Sequence, residues 1–139
     1  MEQAVTARKD VKLPEMRAEV ISAVQALASP EYQQKVWIDR TYPHPDYYDD
    51  FTLNVHILYD DTTVLASPEA ALGNTLTSEQ EVSAMKKLAH ALDAALDDVG
   101  ADAPDTEFLQ SPLWPQVVAA AQAALTALGE PELHSGPLA

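Results

Sequence analysis

The sequence contains no cysteine, which excludes disulfides and thiolate-ligated metal sites together. Its four glycines are scattered, so no glycine-rich loop is available to cradle a phosphate. No apolar run approaches the ~20 residues that a membrane-crossing helix requires. The opening stretch "MEQAVTARKDVKLPEM" lacks the apolar centre of a signal peptide. Basic side chains are also scarce, 8 lysines and arginines against 22 aspartates and glutamates. The imbalance is local. Residues 1–40 hold six charges of each sign, whereas residues 41–139 set only Lys86 and Lys87 against sixteen acids and so carry the whole net charge of −14. Such a surface repels phosphate backbones and anionic headgroups and draws in basic partners. Direct nucleic-acid and membrane binding are therefore disfavoured, and a soluble, cytoplasmic protein is expected.

What is present suits one domain. At 139 residues a chain buries roughly two thirds of its unfolded surface, enough for a core without staples. Residues 1–12 read as a flexible, mixed-charge arm, 13–129 as a single domain, and 130–139 as a frayed tail. Pro14 suits the first turn of a helix, with Met16, Val20, Ala23, Val24 and Leu27 as its buried stripe. Ser29-Pro30 caps a second, short helix, and residues 35–40 fit either helix or strand. Ser78 and Glu81 form a capping box for a long helix carrying Val82, Met85, Ala89, Leu92, Leu96 and Val99 and closed by Gly100. Asp105 is placed to cap a short turn through Leu109. Ser111-Pro112 begins a final helix that buries Val117, Val118, Ala121, Ala124, Leu125 and Leu128 and stops at Gly129.

Between these helices the period changes to two. Phe51, Leu53, Val55, Ile57 and Tyr59 alternate with polar neighbours, which predicts a strand; Asp60-Asp61 then turns the chain into a second strand at residues 62–65. "SPEAALG" reads as a single helical turn. The expected class is α+β, a small antiparallel sheet of two to three strands packed against about three main helices.

"SPEYQQKVW", "YPHPDYYDDF" and "NVHILYDDT" together resemble a family of small, acidic, soluble bacterial proteins of uncharacterised function. The likeness runs from Pro14 to Leu128 and is densest between Ser29 and Thr62. It implies a compact domain in a bacterial cytoplasm and assigns no active-site residue. By analogy, small acidic proteins of this kind are often toxin-neutralising or regulatory binders.

The chemistry-bearing residues concentrate in "TYPHPDYYDDFTLNVHILYDD", residues 41–61, which holds two histidines, five aspartates and four of the five tyrosines. Tyr42, Asp46, Tyr47, Tyr48, Asp49 and Asp50 combine aromatic area with negative charge, a composition suited to capturing arginine or lysine of a partner. Pro43 and Pro45 stiffen the loop and lower its ordering cost on binding. Asp97, Asp98 and Asp102 add outlying charge. The expected function is a non-enzymatic, immunity- or antitoxin-like module with no cofactor, whose partner is a basic protein, toxin-like or nucleic-acid-binding. Charge reversal at Asp49 and Asp50 is expected to abolish capture without unfolding the domain. The alternative is a metal-dependent, hydrolase-like site built from His44, Asp46, Asp49, Asp50 and His56, all proper ligand types. It requires the loop to fold back over the face that carries His56. A serine nucleophile has little support, since the serines read as caps and no G-x-S-x-G elbow occurs.

Overall fold

The computed structural model of the protein describes residues 11–100 and 102–130. Helix α1 spans Pro14–Ala28. Helix α2, Pro30–Tyr32, runs on as a wider π-helical segment over Gln33–Ile38. After an irregular loop, α3 (Phe51–His56) likewise continues as a π-helical segment, Ile57–Asp61. A 3-10 turn at Glu69–Ala71 matches the helical turn expected at "SPEAALG". Then follow α4 (Glu79–Val99), α5 (Asp105–Gln110) and α6 (Trp114–Leu128).

The fold is all-helical, which corrects the α+β expectation. Among the described residues the β pairing amounts to an isolated bridge between Leu72 and Leu76. Residues 51–59 are helix because Asp50 caps them: its carboxylate accepts from Leu53 N at 2.8 Å. The inward positions are Phe51, Asn54 and Leu58, spaced three and four apart as a helix requires. Leu53, assigned by alternation to the apolar face, is 37% exposed. The expected second strand is a turn, with Thr63 in the left-handed region at φ 53°. The Thr62 hydroxyl ends the preceding segment by donating to Ile57 O at 2.6 Å. Residues 33–38 are π-helical rather than extended, and Gln33, Val36 and Trp37 point inward.

Helix α6 lies between α1 and α4 and packs extensively on both. Its sequence, "WPQVVAAAQAALTAL", contains no ionisable side chain. Two neighbours demand a broad apolar face, and the alanines let both backbones approach. Beside this stack the chain's two tryptophans and two phenylalanines form one aromatic cluster. Phe51 meets Phe108 at 4.3 Å between ring centroids, Trp114 at 5.5 Å and Trp37 at 5.9 Å.

Two buried polar devices join the helices. Gln33, fully buried, donates through Nε2 to Ala26 O and Leu27 O, both at 2.9 Å, and accepts the Trp114 indole N–H at 3.0 Å. It thereby satisfies carbonyls left open at the end of α1. The second device is Glu81. Its carboxylate receives the Arg17 guanidinium in bidentate fashion at 2.8 and 3.1 Å, together with Thr77 N at 2.7 Å and Thr77 Oγ1 at 2.8 Å. The expected capping box is thus half formed. Ser78 Oγ accepts from Glu81 N at 3.2 Å, but Glu81 reaches back to Thr77, one residue before the cap.

Ser29 caps as expected, accepting from Tyr32 N at 3.2 Å. Ser29→Ala should cost about 1 kcal/mol, the usual worth of such a cap, read as a lower urea midpoint at unchanged slope. Gly129 ends α6 in the left-handed region at φ 75°, where glycine carries no penalty. Most of the expected arm and tail lies outside the described residues. Lys12 and Leu13 are tied down, donating their amides to Gly73 O at 3.0 Å and Asn74 O at 2.9 Å.

Candidate functional site

The loop that joins the first π-helical segment to α3, residues 39–50, carries the residues singled out by composition. It enters through Arg40, at φ 58°, and leaves through Asp50, the cap of α3. π-Helical turns recur at functional sites, and here one leads into the loop and another continues α3 beyond it.

Asp49 holds the loop from beneath. It is 7% exposed, and its carboxylate accepts from Trp37 Nε1 at 2.8 Å, Tyr32 OH at 2.9 Å and Asn54 Nδ2 at 2.9 Å. Asn54 also donates to Asp50 O at 2.8 Å. The Tyr32 and Tyr47 hydroxyls are hydrogen-bonded to each other. Because Tyr32 gives its one proton to Asp49, Tyr47 must be the donor in that pair. Burial raises Asp49 above its ordinary value, only partly offset by bonds from Trp37, Asn54 and Tyr32. Tyr32 is driven far up, first by burial and then by the neighbouring Asp49 carboxylate, whose charge and hydrogen bond both favour the neutral phenol, and Tyr47 is raised chiefly by burial. Both hydroxyls therefore remain donors at neutral pH.

The outer surface of the loop is aromatic. Tyr42 packs against Tyr47 and Tyr48, with centroids 6.0 and 6.1 Å apart, and His44 meets Tyr47 edge-on at 5.8 Å. Tyr48 is 52% exposed and donates to Asp50, which is the first cause of its raised pKa. The Arg40 guanidinium stands against Tyr42 and Tyr48, and the hydrogen bond to Tyr42 is the main reason its pKa is raised. Asp105 does not cap its own helix. It reaches across to accept Phe51 N at 3.1 Å, while burial, ahead of all else, raises it.

Of the six residues expected to form a partner face, Tyr42, Tyr47 and Tyr48 do gather, and Asp46 is exposed among them in sequence. Asp50 is half-buried and structural in part. Asp49 faces the interior. The metal-site set is not brought together: among the described residues no three His, Cys, Asp or Glu side chains are grouped so as to hold a metal ion. His56 pairs instead with Asp60, one helical turn on, at 2.6 Å. Tyr32, Trp37 and Asn54 are the residues that sequence reasoning missed. The spacing of Asp50 before Leu53, an aspartate at the cap position, was the available signal for the helix that places Asn54.

The fold and this site together define a small helical protein that displays a tyrosine loop latched by a buried aspartate. The chain belongs to the family described as a domain of unknown function, DUF7945, which matches it over residues 11–135. No curated protein and no solved structure shows significant similarity to it. Among the described residues no helix is long and apolar enough to cross a membrane.

Proposed function

We propose that the protein is a non-enzymatic, cytoplasmic binding module that presents Tyr42, Asp46, Tyr47, Tyr48 and Asp50 to a basic protein partner, in the manner of an immunity protein or antitoxin. The observation that supports this most is a half-exposed Tyr48 on a loop whose conformation is already fixed. Its rings pack on one another, and its base is held by three hydrogen-bond donors on Asp49. An aromatic surface ordered before contact loses little entropy on binding, and tyrosine is a favoured interface anchor. The acidic charge of residues 41–139 steers a cationic partner towards it.

The test is affinity capture from bacterial lysate with mass-spectrometric identification, at low and high salt. Asp46→Lys and Tyr48→Ala alter exposed side chains, so both variants should keep the wild-type melting temperature. Each should recover the partner at least several-fold less well, and capture by wild type should weaken with salt. Equal recovery by wild type and both variants would sink the proposal.

A further inference from the structure

The same loop borders a cavity of about 280 Å³ whose lining includes Tyr32, Tyr47, Tyr48, Asp49, Leu53 and Asn54. Three tyrosines and Leu53 give this lining an aromatic and apolar character, and Asp49 is the acidic residue in it. It is smaller than the ~300–1,000 Å³ typical of sites for drug-sized ligands, so it suits one side chain rather than a cofactor.

Its charge is unusual for this molecule. The other buried carboxylate, Glu81, has its own guanidinium in Arg17. Asp49 is also buried, at 7% exposure against 1% for Glu81, but all three of its donors are neutral. Among the described residues the ion pairs join Arg17 to Glu81 and Lys86 to Glu69, His56 is hydrogen-bonded to Asp60, and Asp49 takes part in none of these. Arg40 lines a different cavity, with Asp50 and Asp105. An enclosed carboxylate with no counter-ion is costly, and here it adjoins an open space with aromatic walls. Those walls favour a cation over a neutral group. A flat guanidinium, weakly hydrated and able to stack on tyrosine while bonding a carboxylate, suits the space better than a compact ammonium.

We infer that this cavity is an arginine-side-chain pocket, in which Asp49 receives the guanidinium of one partner residue and Tyr47 and Tyr48 flank it. The inference rests on the binding role proposed above and names the chemistry its anchor would have.

The chain carries its own reporter. Trp37 donates its indole N–H to Asp49, whereas Trp114 donates to Gln33, so the protein's two indole resonances separate the site from the core. The full chain, labelled with nitrogen-15, is titrated with the blocked peptide acetyl-Gly-Arg-Gly-amide and with its citrulline and lysine counterparts. The arginine peptide should shift the Trp37 indole resonance saturably in the millimolar range or below, leaving Trp114 in place. Asp49→Asn should weaken binding at least tenfold. Should that variant fail to fold, Tyr48→Ala, which changes an exposed wall, should weaken binding several-fold. An equal response to citrulline would overturn the need for a cation, and an equal response to lysine the choice of guanidinium. No saturable Trp37 shift, or undiminished binding by Tyr48→Ala, would overturn the pocket itself. If the peptide fails while partner capture still depends on Asp46, the binding face stands and only the pocket is lost.

Discussion

Arg17→Ala is expected to lower folding stability by about 3–5 kcal/mol, the usual cost of removing one member of a buried ion pair. Arg17 joins several parts of the fold. From α1 it bonds both oxygens of Glu81 on α4 at 2.8 and 3.1 Å and Thr75 O at 2.8 Å, and it approaches Leu128 O at the end of α6 at 3.5 Å. Without it Glu81, 1% exposed, keeps only the Thr77 amide and hydroxyl, which do not neutralise its charge. Replacing both partners by apolar residues of similar size should cost less than the single change, because no stranded charge remains. Urea unfolding of the single and double variants measures the difference. A single variant within 1 kcal/mol of wild type would show that the pair behaves like an exposed one.

The same carboxylate sets a pH dependence. Burial alone would raise Glu81, but the bonds from Arg17 and Thr77 prevail and hold it below its ordinary value. An acid whose pKa is lower in the folded state gives its full stabilisation above the unfolded value, about 4.3 for glutamate. That stabilisation is lost as pH falls through the folded value. Asp49 and Asp105 have raised values and act in the opposite sense. Their contribution is complete below the unfolded aspartate pKa and is lost as pH rises through the folded one. Stability lost in acid therefore comes in part from Glu81, and Glu81→Gln should flatten the acid limb of a stability–pH profile.

Asp49→Ala is expected to cost about 2–4 kcal/mol, since it leaves the buried Trp37 indole N–H without an acceptor and opens a gap beneath the loop. Tyr32 and Asn54 are partly protected, because Tyr47 and Asp50 O remain beside them. Asp49→Asn should cost less, its amide oxygen still being able to accept from the indole. Asp49→Lys would bury an ammonium against an indole N–H and should unfold the domain. Charge reversal here is thus no test of binding alone, contrary to what composition suggested. Asp50 is similarly unsuitable, because it caps α3. Chemical denaturation, with Trp37 fluorescence as local probe, distinguishes loss of the loop from loss of the fold. A neutral result for Asp49→Ala would mean that water satisfies the indole equally well.

The three long helices were legible because each carries a broad apolar stripe and local boundary signals, proline or serine near the start, and Ser29-Pro30 after α1 or glycine after α4 and α6. Residues 51–61 were not, for a definite physical reason. Their inward positions are Phe51, Asn54 and Leu58, and the middle one is a polar residue that alternation assigns to solvent. Asn54 is tolerated inside because Asp49 and Asp50 O accept its amide protons, a fact of tertiary structure that no local window contains. With Asn54 misplaced, the alternating Phe51, Leu53, Val55, Ile57 and Tyr59 imitate a strand. The tyrosine loop was visible as composition, but its latch was not. Asp49 finds Trp37 twelve residues away and Tyr32 seventeen away, and an aspartate among aspartates gives no sign of which one turns inward.

The glutamine that closes α1 has a consequence for how the chain is made. Gln33 is held by Trp114, 81 positions later, and α1 packs on α6, so α1 waits for α6 to emerge from the ribosome. Non-local pairing of this kind slows folding. It leaves the nascent α1 with its apolar stripe uncovered until α6 has emerged, the interval in which a chaperone would find it.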